Sequence, residues 1–363
     1  MMGVKAKSVL DAIGYYMVGI SKLEGWENPA KLSSNESILG MSPKATEAAS
    51  RALTQSHLYP EVDTEVLANV IAKRYQLDPA KITFGPGSDE LLQRIVNTFA
   101  GPGDELVHSA HAYMQFPIYA KLAGATPVAA ADNNFRYDVD SILAAVTDKT
   151  RIVLLANPDN PSGSYLSGNE IRHIHSQLAD NVLLIMDSAY EEFATEDDYE
   201  SATRLVDEFD NVIVTRTFSK VYGMAGLRLG WCYGNPDMVD LITRIGPSFP
   251  ANSVAFAAAV EAIKDQDHVD KVLRHNHRWI TQLTSALTDE GLVVYPSHTN
   301  FLLVQFPAET GKTAAGACEH LNQNGLIPRQ FAVDDFYDKL RFTVGDDAAM
   351  QKLISVLGGY MKQ

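Results

Sequence analysis

TRTFSKVYGMAGLRLG, residues Thr215–Gly230, follows an apolar, β-branched run, Asn211 to Thr217, that reads as a buried strand. Lys220 therefore stands where a strand leaves a sheet, the place where open α/β folds put their chemistry. Hydroxyls surround it at Thr215, Thr217 and Ser219, and Arg228 follows. An amine that is partly desolvated beside a cation can lose its proton near neutral pH and form a Schiff base. The same segment also fits a lysine in an ordinary strand-to-helix turn, so the rest of the chain has to decide.

Working outward, Lys81 to Gly234 alternates short apolar runs with amphipathic stretches. Strands are expected at Ile82–Phe84, Glu105–His108, Thr126–Ala130, Arg151–Ala156, Val182–Met186, Val212–Arg216 and Leu229–Tyr233. Helices are expected at Ser88–Ala100, Phe116–Ala123, Val139–Val146 and Ser167–Leu178. That alternation predicts a largely parallel sheet covered on both faces. Beyond Asn235 the texture changes. Asn252 to Thr288 is helix-forming with a break near Asp265, followed by strands at Leu292–Tyr295 and Phe301–Phe306. A helix from Thr313 to Asn324, a strand Lys339–Val344 and a last helix from Asp347 complete it. The expected division is an arm with part of a small domain in residues 1–44, a large domain in 45–247, and a small α+β domain in 248–363.

Bulk composition narrows the function classes. The chain has 363 residues, 46% hydrophobic and 21% charged, enough for a sizeable core. Lys and Arg number 30 against 45 Asp and Glu, a formal charge of -15, which argues against nucleic acid or an anionic membrane as partner. Two cysteines, Cys232 and Cys318, form neither a disulfide framework nor a metal motif. No stretch approaches the roughly 18 apolar residues of a membrane span, and a cytoplasmic location is expected.

Four further segments bear on Lys220. Gly85-Pro-Gly-Ser-Asp89 leads from a strand into a helix whose first N–H groups, at Ser88 and Asp89, could cap a phosphate; a plain helix N-cap has the same pattern. NPDNPSG, Asn157–Gly163, is stiffened by two prolines and suits a side chain, Asn160, that presents an amide to a ligand. The apolar strand ending at Asp187 leaves a carboxylate in need of a cation or strong donors, with Tyr190 just beyond it. His111-Ala112-Tyr113 places an aromatic ring at another strand end. An amine, a buried carboxylate, a rigid amide, a phenol, an aromatic face and a phosphate cradle together describe a pyridoxal 5'-phosphate site. Lys220 would form the imine, Asp187 would keep the ring nitrogen protonated, and Asn160 and Tyr190 would bond the ring oxygen. Tyr113 would stack on the ring, and Ser88, Asp89, Thr217, Ser219 and Arg228 would surround the phosphate.

Those segments, with LSSNES (Leu32–Ser37), LYPE (Leu58–Glu61), GSDELL (Gly87–Leu92), DSAYEEF (Asp187–Phe193) and LRFTVG (Leu340–Gly345), give the chain a full-length resemblance to fold-type I aminotransferases, most closely the histidinol-phosphate aminotransferases. The resemblance implies an α/β large domain with a mostly parallel seven-stranded sheet plus a smaller α+β domain. It implies two-step transamination between a small-molecule amino donor, histidinol phosphate, and a 2-oxo acid acceptor, 2-oxoglutarate. It also implies a homodimer with shared active sites, in which Tyr59 reaches the neighbouring subunit's cofactor phosphate. Tyr16, Asn35, Arg329 and Arg341 match the family's substrate-side positions. The sequence departs from the family at Ser37-Ile38, Pro86, Ser188 and the acidic, aromatic loop Phe331–Asp338. These departures leave the amino donor open to aromatic or other amino acids, or to a decarboxylase or lyase reaction on the same scaffold.

Overall fold

The computed structural model describes residues 4, 8–14, 19–60, 64–307, 311–331 and 333–362. Its main sheet holds seven strands: β1 (Ile82–Gly85), β2 (Glu105–Ser109), β3 (Thr126–Ala130), β4 (Thr150–Ala156), β5 (Leu183–Asp187), β6 (Val212–Thr217) and β7 (Gly230–Gly234). They lie in the order β1-β7-β6-β5-β4-β2-β3, with β7 antiparallel to both of its neighbours and the remaining pairs parallel. All seven expected strands are present, most of them shifted by one residue at an end. The interior strands β5 and β6 are buried at every position. Neither sequence alternates apolar and polar residues, as strands covered on both faces do not: β5 is apolar up to Asp187, and β6 begins Val212-Ile213-Val214 before its buried Thr215, Arg216 and Thr217.

Local signals place the helices. Ser167 and Glu170 form a reciprocal capping box at the start of Gly168–Ser176. The helix Ser88–Phe99 starts from Gly87, whose φ of +96° is open to glycine at little cost. A Cβ on Gly87 would stand 2.4 Å from the Arg228 guanidinium and push that side chain aside, so the positive φ is what calls for glycine here.

A second core lies around an antiparallel sheet of β8 (Val293–Val294), β9 (Phe301–Gln305), β10 (Arg329–Gln330) and β11 (Lys339–Thr343), in the order β8-β9-β11-β10. Leu302, Val304, Leu340 and Phe342 from this sheet meet Leu321 and Leu353 from the helices Ala314–Gln323 and Asp347–Lys362. Residues Ala30–Lys31 pair in parallel with Leu326–Ile327, which ties the N-terminal segment to this smaller unit.

The division expected at residue 248 does not coincide with a change of core. The helix Ser253–Lys264 lays Ala255, Ala258, Ala259 and Ala262 against Ala45 and Ala49 of the helix Pro43–Leu53, within the core of the large sheet. Small side chains allow the two helices to approach closely, and nothing in a helical composition reveals which core a helix will join. The helix Gln266–Asp289, about 36 Å long at 1.5 Å per residue, spans the two. Val269 and Val272 enter the large core, and Trp279, Leu283 and Leu287 enter the small one.

A sealed ion cluster holds the β5 exit against β6. Arg216, 2% exposed, donates to Glu191 Oε1 at 2.7 Å and Glu192 Oε1 at 2.6 Å. Its guanidinium lies 4.7 Å from the Tyr75 ring centroid and 5.3 Å from that of Trp231. Tyr75 also shares a 2.5 Å hydroxyl contact with Tyr222, two residues past Lys220. Removing one member of a buried ion group strands its partners. Arg216→Met should therefore lower the unfolding free energy, read from urea titration of the cofactor-free protein, by about 3–5 kcal/mol. A loss below about 1 kcal/mol would mean that the two glutamates protonate or turn away at little cost.

Candidate active site

The parallel register of the sheet assembles the site. Ala156, Asp187 and Thr215 are aligned on β4, β5 and β6, so the chain leaves all three strands on one edge. A cavity of about 270 Å³ opens there. Lys220, Asp187, Asn160, Tyr190 and Tyr113 line it on the β4–β6 side, and Ser88, Asp89, Thr217, Ser219 and Arg228 at the helix start. From the smaller unit and the N-terminal segment come Asn35, Arg329 and Arg341. Of the sequence-expected residues, Tyr59 is not in this lining; it is 80% exposed and stacks on Phe249 with centroids 4.5 Å apart. Tyr16 lies outside the described residues.

Asp187 is 7% exposed and accepts a hydrogen bond from Thr215 Oγ1 at 3.2 Å. Burial, with Asp89 nearby, pushes its carboxyl up to about 7, while Thr215, Lys220 and the Ala189 N–H pull it down. A carboxylate held this far from water gains most from a cation brought into direct contact. A protonated pyridine nitrogen has that charge and that size. Thr215 was noticed in the sequence only as one of several hydroxyls; its position opposite Asp187 comes from the β5–β6 register.

The cradle beside Lys220 is polar, and its strand and helix start pack backbone to backbone at Gly230. Ser219 N donates to Thr217 Oγ1 at 3.1 Å, Thr217 Oγ1 donates to Ser219 Oγ at 3.0 Å, and Arg228 Nη1 reaches Ser219 Oγ at 3.4 Å. A Cβ at Gly230 would lie 2.6 Å from Ser88 N. Backbone N–H groups at a helix start, two hydroxyls and an arginine are the donors a phosphate requires. Lys220 Nζ stands 5.4 Å from the Tyr190 ring centroid, and the residue is partly buried. The residues present therefore fit pyridoxal phosphate at both of its ends.

The loop Asn157–Gly163 is stiffer than its prolines alone require. Asn157 closes it with paired bonds to Leu166, at 3.0 and 2.8 Å. Asp159, 3% exposed and pushed up to about 6 by burial, accepts from Ser162 Oγ at 2.6 Å and Tyr137 Oη at 2.9 Å. Asn160 Oδ1 then accepts from Arg341 Nη1 at 2.5 Å, joining this loop to β11. Arg341 also donates to the Ser33 carbonyl at 3.2 Å.

The unusual loop from Phe331 has a defined place. The Phe331 ring lies 5.6 Å from both the Arg329 and the Arg341 guanidiniums, behind the two cations. The Phe336 ring lies tilted against it at 4.7 Å and meets His111 edge-on at 5.4 Å. His111 Nδ1 contacts Asp132 at 2.6 Å, and that hydrogen bond holds the imidazole above its ordinary range. Asn35, expected on the substrate side, spends its contacts inside the protein: Nδ2 donates to Tyr190 Oη at 2.9 Å, and Oδ1 accepts from Thr343 at 3.0 Å. Thr343 and Arg216 were not singled out in the sequence. The strand alternation that puts Thr343 on the face of Arg341 was the available signal for the first.

The raised Asp187 carboxyl has a measurable sign. Its folded value of about 7 lies above the ordinary 3.8, so the cofactor-free protein carries no cost from it below 3.8 and loses stability as pH rises toward 7. Asp187→Asn removes that dependence. In thermal melts of the cofactor-free proteins, the Asp187→Asn variant should gain on the parent progressively between those pH values. Asp159, shifted the same way, is common to both proteins and cancels. A difference in melting temperature that stays constant with pH would refute the assignment.

Comparison with known proteins agrees with this geometry. The family described as aminotransferase class I and II matches residues 27–357. The chain is 42% identical to a histidinol-phosphate aminotransferase of Maricaulis maris over 99% of this chain and all of the relative. It is 41% identical to one of Paramagnetospirillum magneticum over 94% of each. A crystal structure of histidinol-phosphate aminotransferase from Sinorhizobium meliloti, in complex with pyridoxal-5'-phosphate, superposes with a TM-score of 0.89 at 28% identity, covering 99% of this chain and 98% of that one. An aspartate aminotransferase of Thermus thermophilus shares the fold, with a TM-score of 0.84 at 18% identity. The cavity, its lysine and carboxylate, and this full-length similarity place the chain in the class I and II aminotransferase family.

Proposed function

We propose that the protein is a pyridoxal-phosphate-dependent aminotransferase that moves the amino group of histidinol phosphate to 2-oxoglutarate, giving imidazole acetol phosphate and glutamate. The observation that carries the substrate reading is the pair Arg329 and Arg341, 6% and 7% exposed, in one cavity with Lys220. In a chain of net charge -15, two nearly buried guanidiniums are a local device for holding anions. Histidinol phosphate brings a phosphate and glutamate brings two carboxylates, and a planar guanidinium fork bonds either.

When bound, pyridoxal phosphate supplies an electron sink for negative charge at the carbon bearing the amine. Asp187 would hold the ring nitrogen's proton, with its own burial making that pairing strong. Asn160 and Tyr190 would bond the ring oxygen, and Tyr113 would lie against the ring. Ser88, Asp89, Thr217, Ser219 and Arg228 would hold the phosphate. Lys220 is the attachment point. With the cofactor bound and its amine freed, Lys220 Nζ would be the group to take the proton from the substrate carbon and return it, as base and then acid.

A homodimer belongs to the same reading. Tyr59 does not serve the cavity of its own chain, and it lies exposed with Leu58, Ile245 and Phe249, as a residue reaching a neighbouring subunit's cofactor phosphate would. A cytoplasmic location is part of the proposal; among the described residues no helix is long and apolar enough to cross a membrane. Tyr16 keeps its proposed place on the substrate side.

Two measurements test the assignment. Lys220→Ala should abolish the visible absorbance of the bound cofactor and nearly all turnover; a surviving visible band of normal position would sink the role given to Lys220. A panel of donors with 2-oxoglutarate should show histidinol phosphate ahead of phenylalanine and other amino acids, and the reverse order would replace the substrate while keeping the enzyme class. Arg341→Ala should slow both half-reactions by about a hundredfold, the scale of a charged bidentate contact. An effect confined to the glutamate half would show that the two anions do not share Arg341.

A further inference from the structure

The Tyr190 hydroxyl can either give or take a hydrogen bond, and its neighbours decide which. Asn35, held at a φ of +53°, donates its backbone N–H to Thr343 Oγ1 at 2.9 Å. An amide N–H only donates, so Thr343 accepts there and turns its single proton elsewhere. That proton goes to Asn35 Oδ1, 3.0 Å away. The carbonyl end of the Asn35 side chain is thereby identified, and the amide end, Nδ2, faces Tyr190 Oη at 2.9 Å. Tyr190 accepts from Asn35, and its own proton is left to point into the cavity.

The relay is insulated and braced. Asn35, Thr343 and Tyr190 are 2%, 3% and 3% exposed, so water is not at hand to reset the pattern. Asn300 Nδ2 donates to the Asn35 carbonyl at 3.1 Å, fixing the backbone at that residue. Thr343 follows Arg341 by two positions on β11 and therefore shares its face. One strand thus carries Arg341 into the cavity lining and, through Thr343 and Asn35, bonds the phenol of Tyr190 in the same lining.

We propose that Asn35 and Thr343 are positioning residues that fix the hydrogen-bond polarity of Tyr190, so that this phenol meets its ligand only as a donor, and the ligand atom opposite it is an anionic oxygen. The inference rests on the function proposed above and deepens it: the atom is the ring oxygen of pyridoxal phosphate. A donor on that oxygen favours the form with more negative charge and so holds down the pH at which the loaded protein loses its proton.

The experiment is the pH titration of the visible absorbance of the full-length protein loaded with pyridoxal phosphate, together with the cofactor dissociation constant. Asn35→Asp keeps a side chain that tolerates the left-handed backbone but presents an acceptor, so Tyr190 turns its proton away from the cavity. Its midpoint should rise by about one pH unit, the tenfold that a hydrogen bond to a charged oxygen is worth, with weaker cofactor binding. Thr343→Val, which adds no charge, should raise the midpoint by less, and Thr343→Ser should leave it where it was. In a Tyr190→Phe background the Asn35→Asp shift should vanish. Persistence of the full shift in that background would show a plain charge effect and overturn the proposal. So would equal midpoints for Thr343→Val and Thr343→Ser, a comparison that decides alone if Asn35→Asp does not fold. If the unsubstituted protein forms no visible band with pyridoxal phosphate, the functional reading fails first, and this inference with it.

Discussion

Arg216 is the interaction on which the site's geometry depends. Its guanidinium sits between two carboxylates of the segment that carries Asp187 and Tyr190, and it belongs to the strand that leads to Lys220. The β5 and β6 exits are thereby fixed to one another in a region nearly free of water. A cation buried at 2% exposure persists only if its partners are placed to satisfy it. The cluster therefore constrains the loops that follow both strands, and through Tyr75 and Tyr222 it extends to the turn just past Lys220.

On that frame the protein arranges charge against its own composition. A chain with a strong negative excess gathers Lys220, Arg228, Arg329 and Arg341 around one cavity. Asp187 stands among them with its ionisation suppressed by burial, which suits it to receive a cationic ring nitrogen. Two of the cations lie against rings: Phe301 is 4.9 Å from the Arg341 guanidinium, and Phe331 is 5.6 Å from both the Arg329 and the Arg341 guanidiniums. The loop that departs most from the family pattern thus contributes a ring to the wall against which Arg329 and Arg341 lie.

Much of this was legible in the residues. β5 and β6 announced themselves by apolar runs without alternation, the pattern of strands covered on both faces, and the Asp187 and Lys220 positions followed from where those runs end. Asn160 was legible because a loop with two prolines has few conformations. Arg216 was not, since an arginine inside a strand gives no hint of which carboxylates will meet it. Asn35 was placed in the site, but its bonds to Tyr190 and Thr343 were not legible, because they run to residues 155 and 308 positions away. The helix Ser253–Lys264 was found with its ends nearly right, yet it joined the large core through alanine contacts that composition does not distinguish from any other amphipathic helix.

The sequence by itself determined the alternation of strands and helices, the strand-end positions of Lys220 and Asp187, and the family to which the chain belongs. These follow from short-range periodicity and from side-chain chemistry, which a chain displays locally. Only the tertiary structure decided the strand order with its single reversed strand, the sealing of Arg216 between Glu191 and Glu192, and the direction in which the Tyr190 proton points. Those depend on which distant segments share a register and on how a handful of protons are divided among buried oxygens. That division is settled when all the partners are in place together.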